Sequence, residues 1–92
     1  MMGAAGKMFA HALGRAQQRY EGTDARVVRL IERCIRRGDG QHAQNNQVVA
    51  DCIQKKNPRR HVWRAKVIES GQWYRVVFDT VVRRVVTFLP GV

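Results

Sequence analysis

The chain has 92 residues, a formal net charge of +10 and a sequence pI near 11.1. A hydrophobic fraction of 45% excludes a disordered chain, and the length predicts a single domain over residues 1–92. A charge excess of this size predicts a polyanionic partner, and nucleic acid is the first choice. The alternatives are a basic protein that is merely well solvated and one that binds an acidic protein surface.

The two cysteines show neither a CxxC spacing nor a histidine at metal-ligand spacing. Cys34 and Cys52 both fall at apolar positions of a periodic pattern, which predicts buried reduced thiols, no metal site and no cofactor. Reduced thiols indicate a cytoplasmic protein. Lys7, His11 and Gly14 interrupt the apolar N-terminal stretch, so we expect neither a signal peptide nor a membrane span.

The first part of the chain predicts two amphipathic helices. Residues 4–20 repeat apolar side chains at helical spacing, with His11 and Arg15 one turn apart on the polar side. Residues 24–37 form the second helix, which ends at Gly38 and presents a run of arginines to water. Both helices have an apolar stripe that needs a partner, and a sheet is the partner we expect.

The remainder predicts a loop at residues 38–46 followed by four strands, which are residues 47–55, 60–69, 72–79 and 84–89. The predicted fold is therefore α+β, with two N-terminal helices packed on one face of a four-stranded, mainly antiparallel sheet. The turn after residue 79 lacks the Gly or Asn that a tight hairpin prefers. Val81 and Val82 in this turn form either a small contact patch or an irregular loop.

Alternation along the strands predicts one apolar and one cationic face of the sheet. The apolar face is expected to hold Trp63, Ala65, Val67, Tyr74, Val76, Phe78, Val86 and Phe88. The cationic face is expected to hold Arg64, Lys66, Arg75 and Thr87, while Val85 opposes Val86. No carboxylate is expected on the cationic face, since Glu69 and Asp79 fall at strand ends.

Further cations, among them Arg15 on the first helix, and one aromatic residue extend the predicted nucleic-acid surface. Lys55, Lys56, Arg59 and Arg60 form a basic tip at the turn around Pro58. Trp73 falls on the Arg75 side by alternation, where it is available to stack on a base. The alternative is that these residues have no binding role. Cations on strands are often only solvated, and tryptophans are more often core residues than stacking platforms.

The stretches FAHALGRAQQRY, VWRAKV, WYRVVFD and RVVTFLP resemble the small ribonuclease toxins of the barnase–EndoU–colicin–RelE class, found in bacteria and phages. This resemblance implies N-terminal helices on a four-stranded antiparallel sheet and RNA cleavage without a metal. It implies a proton-transfer role for His11, and phosphate binding by Lys66 and Arg75. It also implies that Thr87 donates a hydrogen bond to a phosphate oxygen.

Metal-free RNA cleavage needs a base for the 2′-hydroxyl, an acid for the leaving oxygen and cations around the phosphate. His11 is the best candidate, although an exposed helix residue without a role is the alternative. His61 is expected at most to contact phosphate, and His42 in the loop is expected to have no role. The competing function is a non-catalytic protein that binds nucleic acid or inhibits a host machine. An acidic inhibitor or host protein is a further expected partner, and the sequence leaves the oligomeric state open.

Overall fold

The structure, a computed structural model, describes residues 4–91; residues 1–3 and 92 of the predicted domain lie outside this range. Two helices precede five strands: α1 (Ala4–Arg19), α2 (Ala25–Arg36), β1 (His42–Gln44), β2 (Val48–Lys55), β3 (Arg60–Val67), β4 (Gln72–Asp79) and β5 (Arg84–Leu89). The strands form one sheet in chain order, and each neighbouring pair is antiparallel. The α+β prediction is therefore confirmed.

The sheet has five strands, so the prediction of four is wrong. The additional strand, β1, lies within residues 38–46, which were predicted to be a loop. The carboxylate of Asp39 accepts hydrogen bonds from the backbone N–H groups of Gln41 and His42 and turns the chain into β1. Asn45 makes the equivalent turn between β1 and β2. A strand of three residues is too short to show the alternation by which strands are recognised.

The main core lies between α2 and the side of the sheet that faces it, which we call the inner face. Its fully or nearly buried strand residues are Ala43, Val48, Ala50, Trp63, Ala65, Val67, Tyr74, Val76, Phe78, Val85 and Phe88. Alternation predicted most of this set, because β3 and β4 are regular and carry a polar residue at every other position over part of their length. Neither of the two helices formed by residues 4–91 lies across the opposite side of the sheet, which we call the outer face.

Helix α1 packs along β5, the edge strand of the sheet. Ala12 and Ala16 are fully buried and belong to the inner core. Met8, two turns nearer the N-terminus than Ala16, packs instead with residues of the outer face, including Val77. Helix α1 thus contacts both sides of the sheet at the β5 edge, whereas both helices were predicted on one face. Covering an edge strand in this way protects its backbone from pairing with another chain.

A β-bulge in β5 overturns the predicted alternation of its valines. Val77 is paired with Thr87 and the next residue, Phe78, with Val85, so Val86 is the extra residue. Val85 therefore joins the inner core and Val86 packs on the outer face, the reverse of the prediction. Thr87 remains on the outer face, as predicted.

A buried carboxylate organises the β4–β5 turn, which explains how it forms without Gly or Asn. Asp79 is fully buried and accepts hydrogen bonds from the backbone N–H groups of Val81 and Val82 at 2.9 and 3.1 Å. Arg83 closes the turn with a positive φ of 59°. Val81 is 68% exposed, so the valines of this turn lie outside the core.

Candidate nucleic-acid interface

A row of directly paired residues crosses all five strands on the outer face. From β1 to β5 it contains His42, Asp51, Arg64, Arg75 and Leu89, and we call it the central row. Directly opposed side chains of antiparallel strands point to the same side, with Cβ atoms about 4.5–5.5 Å apart. One imidazole, one carboxylate and two guanidinium groups therefore lie side by side on an exposed sheet surface.

The first two members of the central row form a hydrogen-bonded pair. Nδ1 of His42 lies 2.7 Å from Oδ1 of Asp51, and their side chains are 49% and 43% exposed. The hydrogen bond to Asp51 raises the pKa of His42 above its usual range, although partial desolvation opposes this. An ionised carboxylate only accepts, so Nδ1 carries the hydrogen and Nε2 is the nitrogen through which the imidazole can exchange a proton.

Two expectations about this face are corrected by that pair. No carboxylate was predicted on the cationic face, yet Asp51 lies there opposite Arg64. His42 was assigned to a loop without a role, yet it belongs to a strand and contacts Asp51. The apolar residues on either side of Asp51 point inward, which was a usable signal that Asp51 points outward. His42 had no such signal, because its position depends on the pairing of β1.

Trp73 and Lys66 form a cationic aromatic cluster next to the central row, together with Arg64. The guanidinium carbon of Arg64 lies 4.8 Å from the centre of the Trp73 ring, and Nζ of Lys66 lies 5.8 Å from it. Both are cation–π distances. All three residues occupy the outer face, as alternation predicted.

Arg75 has a donor with no acceptor. Its Nε is buried and forms no hydrogen bond to any of the residues 4–91. Buried donors are nearly always paired, because an unpaired one loses its hydrogen bonds to water without compensation. An anionic oxygen from outside the protein can therefore contact this guanidinium only through its Nη groups.

His11, Arg15 and Thr87 meet in an open groove between α1 and β5, with a volume of about 560 Å³. Arg60, Arg19 and Lys7 also line this groove. Lys66 and Arg75 do not, so the predicted catalytic set is divided between the groove, Arg75 in the central row, and Lys66 beside that row. Thr87 is opposed to Val77, two residues along β4 from Arg75 on the same face, and so joins the two regions.

The two histidines lie at opposite sides of the outer face. His42 is on β1, and His11 is on the helix that packs along β5. Four strand spacings of about 4.8 Å, or about 19 Å, separate β1 from β5. His11 and His42 therefore cannot act on the same phosphodiester.

The basic tip predicted around Pro58 has a structural task. Nε of Arg59 and Nε of Arg60 lie 2.6 and 2.8 Å from Oδ2 of Asp79. Burial alone would raise the pKa of Asp79, but hydrogen bonds from the turn backbone and from Arg59 outweigh it and lower that pKa. Lys55 and Lys56 are exposed, and neither forms an ion pair among the described residues.

Comparison with known proteins returned no matching family, no matching curated protein and no matching solved structure. Neither of the helices formed by residues 4–91 combines the length and the apolar character that crossing a bilayer requires. The same part of the chain holds no group of three or more His, Cys, Asp or Glu side chains placed to bind a metal ion.

Proposed function

We propose that the protein is an endoribonuclease that cleaves RNA by metal-independent transesterification on its outer face. The observation that carries this proposal is the central row, which places an imidazole hydrogen-bonded to a carboxylate in line with two arginines. An imidazole supplies proton transfer near neutral pH, and guanidinium groups stabilise the charge that develops on the phosphate. Both requirements of the reaction are thus met on one surface.

His42 is the residue that we assign to proton transfer, in place of His11. Its Nε2 takes the proton of the 2′-hydroxyl, and the 2′-oxygen attacks the adjacent phosphorus. The bond from phosphorus to the 5′-oxygen breaks, that oxygen takes up a proton from water, and the imidazolium of His42 returns its proton to solvent. The products are a 2′,3′-cyclic phosphate and a 5′-hydroxyl. DNA has no 2′-hydroxyl and is therefore not a substrate.

The spacing of the strands suits one phosphodiester between His42 and Arg64. Their backbones are two strand spacings, or about 10 Å, apart, a gap that an imidazole and a long guanidinium side chain can close onto a phosphate. Asp51 lies between them and orients the imidazole. Arg75 is one strand further on, where it holds the charge of the same or the next phosphate.

Single-stranded RNA is the substrate that this surface fits best. Lys66 and Arg75 provide phosphate contacts, and Trp73 provides an aromatic ring on which a base stacks, as in other single-strand binding surfaces. The groove that contains His11, Arg15 and Thr87 extends the cationic track beyond β5. Cytoplasmic action is part of the proposal, supported by two free cysteines, Cys34 and Cys52.

A second candidate function is a protein that binds nucleic acid without cleaving it. Among the paired outer-face positions of β1 to β5, His42 is the single imidazole, and the two carboxylates are already bound, Asp51 to His42 and Asp79 to Arg59 and Arg60. A second side chain with a pKa suited to protonating the leaving oxygen is therefore not adjacent to His42. This candidate predicts tight, salt-dependent binding with no turnover.

The deciding experiment incubates labelled single-stranded RNA with the protein in EDTA, with DNA of the same sequence as a control. His42→Ala and His11→Ala are compared after circular dichroism has verified that both are folded. Cleavage that is lost in His42→Ala and retained in His11→Ala supports the proposal. The reverse pattern would move the site to the α1 groove.

Two further outcomes separate the alternatives. A stable complex with intact RNA would overturn the enzyme and leave the non-catalytic binder. If RNA is neither cleaved nor bound, both candidates fail, and an acidic protein becomes the partner to look for.

A further inference from the structure

A small pocket lies on the inner side of the sheet, beneath the C-terminal end of α2 and away from the central row. Its volume is about 160 Å³. The lining residues that matter here are Arg36, Lys55, His61, Trp63, Phe78 and Arg83. None of them has a part in the proposed cleavage of RNA.

Trp63 carries a polar atom that lacks a partner. The residue is 1% exposed, and its indole Nε1 forms no hydrogen bond to any of the residues 4–91. The indole N–H is only a donor and can be satisfied only by an acceptor. Buried donors without acceptors are rare in folded proteins, so this indole is an exceptional feature of the pocket wall.

Basic side chains surround the pocket. Arg36, Lys55, His61 and Arg83 line it, and no Asp or Glu of residues 4–91 does. Nε of Arg36 donates to the carbonyl oxygen of Arg83, and Nη2 of Arg83 donates to that of Arg36, both at 2.6 Å. This reciprocal pair of bonds fixes the two guanidinium groups at the pocket, and each retains further N–H donors. The charge of the site therefore selects an anion.

The size and the remaining lining define the rest of the ligand. The pocket is well above the space that one water needs and below the 300–1,000 Å³ typical of drug-sized ligands. Ile35, Trp63 and Phe78 give it an apolar wall. We propose that this pocket binds a small planar organic anion. The ligand packs its planar part against Trp63 and Phe78 and places its carboxylate or phosphate group among Arg36, Lys55 and Arg83.

The two tryptophans of the chain allow a direct test by ¹H–¹⁵N NMR. The spectrum contains one indole signal from Trp63 and one from Trp73, and Trp73→Phe assigns both without altering the core. The titrated probes are benzoate, phenyl phosphate and inorganic phosphate. Benzoate and phenyl phosphate share a phenyl ring and differ in the anionic group, whereas inorganic phosphate has no aromatic ring.

The expected result is a saturable shift of the Trp63 signal with benzoate, phenyl phosphate or both, and little shift of the Trp73 signal. The preferred head group is that of the probe that binds more tightly. Inorganic phosphate is expected to bind less tightly than the better planar probe, because it cannot contact the apolar wall. Tighter binding of inorganic phosphate would overturn the planar ligand.

Two lysine variants provide a matched control for the charge of the site. Lys55→Glu should weaken binding about tenfold, because a cation at the pocket becomes an anion. Lys56→Glu changes the net charge equally but alters a neighbour that does not line the pocket, so its effect should be small. Equal weakening by both variants, or no saturable shift of the Trp63 signal with any probe, would overturn the proposal.

The same spectrum separates this proposal from the proposed ribonuclease. Single-stranded RNA is expected to shift the signal of Trp73 on the outer face. If RNA leaves Trp73 unchanged while a planar anion shifts Trp63, the RNA surface fails and the pocket stands. If RNA shifts Trp73 and no probe shifts Trp63, the pocket fails and the RNA surface stands.

Discussion

The hydroxyl of Tyr20, the residue that follows α1, accepts a hydrogen bond from the backbone N–H of Arg75 at 3.1 Å. The same hydroxyl donates to the backbone carbonyl of Leu89 at 2.5 Å. Arg75 and Leu89 are the directly paired residues at the β4–β5 end of the central row. A side chain from the helical part of the chain therefore joins the two strands at the position of the proposed phosphate-binding arginine.

Removing this hydroxyl should destabilise the protein. Tyr20→Phe leaves the Arg75 N–H and the Leu89 carbonyl without a partner, which costs about 1–3 kcal/mol in the free energy of unfolding, measured by urea denaturation. Tyr74→Phe is the matched control, because Tyr74 packs against Tyr20 and its hydroxyl only receives a contact from Thr23 at 3.5 Å. Equal losses in the two variants would show that the bridge to Arg75 and Leu89 is not the cause.

Arg75→Ala should weaken RNA binding without unfolding the protein. One phosphate contact is lost, so the slope of log affinity against log salt concentration should fall in magnitude by about 1. Arg26→Ala removes the same charge from an exposed side chain that pairs with Glu69 and lies outside the central row. Fluorescence anisotropy at several salt concentrations measures both slopes. An identical change in both variants would mean that only net charge matters.

The pH dependence of cleavage should report the contact between Asp51 and His42. His42 acts as a base when neutral, so the rate rises as the pH passes its pKa, which the hydrogen bond to Asp51 raises. Asp51→Asn removes that stabilisation of the charged imidazole, so the rising limb should move to lower pH. The maximal rate should fall by about tenfold or more, because the imidazole is no longer held in one tautomer. A limb that stays in place would exclude His42 as the titrating group.

Acid should destabilise the protein partly through Asp79. Because its pKa is lowered by folding, its contribution is present above the unfolded pKa of about 3.9 and is lost as the pH falls through the folded pKa. Asp79→Asn should cost about 1–3 kcal/mol at neutral pH; the loss is modest because Arg59 and Arg60 are partly exposed and return to water. The difference from wild type should shrink as the pH falls below the folded pKa of Asp79.

Asp39 is a matched control for the contribution that a carboxylate makes by holding a turn. Asp39 also accepts two backbone N–H groups, but it is exposed, so Asp39→Asn should cost less than Asp79→Asn in urea unfolding at neutral pH. An equal or larger cost for Asp39→Asn would show that the burial of Asp79 is unimportant.

Gly38→Ala should displace β1 and the imidazole that β1 carries. A Cβ at Gly38 would lie 2.6 Å from both the Cβ of Ala43 and the carbonyl oxygen of His42. The expected cost is about 1–3 kcal/mol in unfolding free energy, with a loss of cleavage. Gly14→Ala in α1 is the control, since a Cβ there meets no atom within 4 Å and alanine favours the helix. A stable and fully active Gly38→Ala protein would contradict the position of β1.

Local sequence carries some of these features and lacks others. The faces of β3 and β4 could be predicted because cations and apolar residues alternate there, as at Arg64 and Ala65. The bulge in β5 could not be predicted, because positions 85 and 86 are both valine. The sequence therefore does not indicate which of the two side chains points inward. The contact between His42 and Asp51 depends on the register between two strands, and register is a property of the pair that neither segment contains alone.

Among the elements formed by residues 4–91, α1 is synthesised before all the others and β5 after them, yet each is the main packing partner of the other. A nascent chain therefore carries α1 undocked until β5 has left the ribosome. Until then β4 is an edge strand open to pairing with other chains, and neither the Tyr20 bridge nor the α1 groove exists. A chain whose translation stops before Arg84 is consequently prone to aggregation and lacks the groove, so complete synthesis is a condition for assembling the RNA surface.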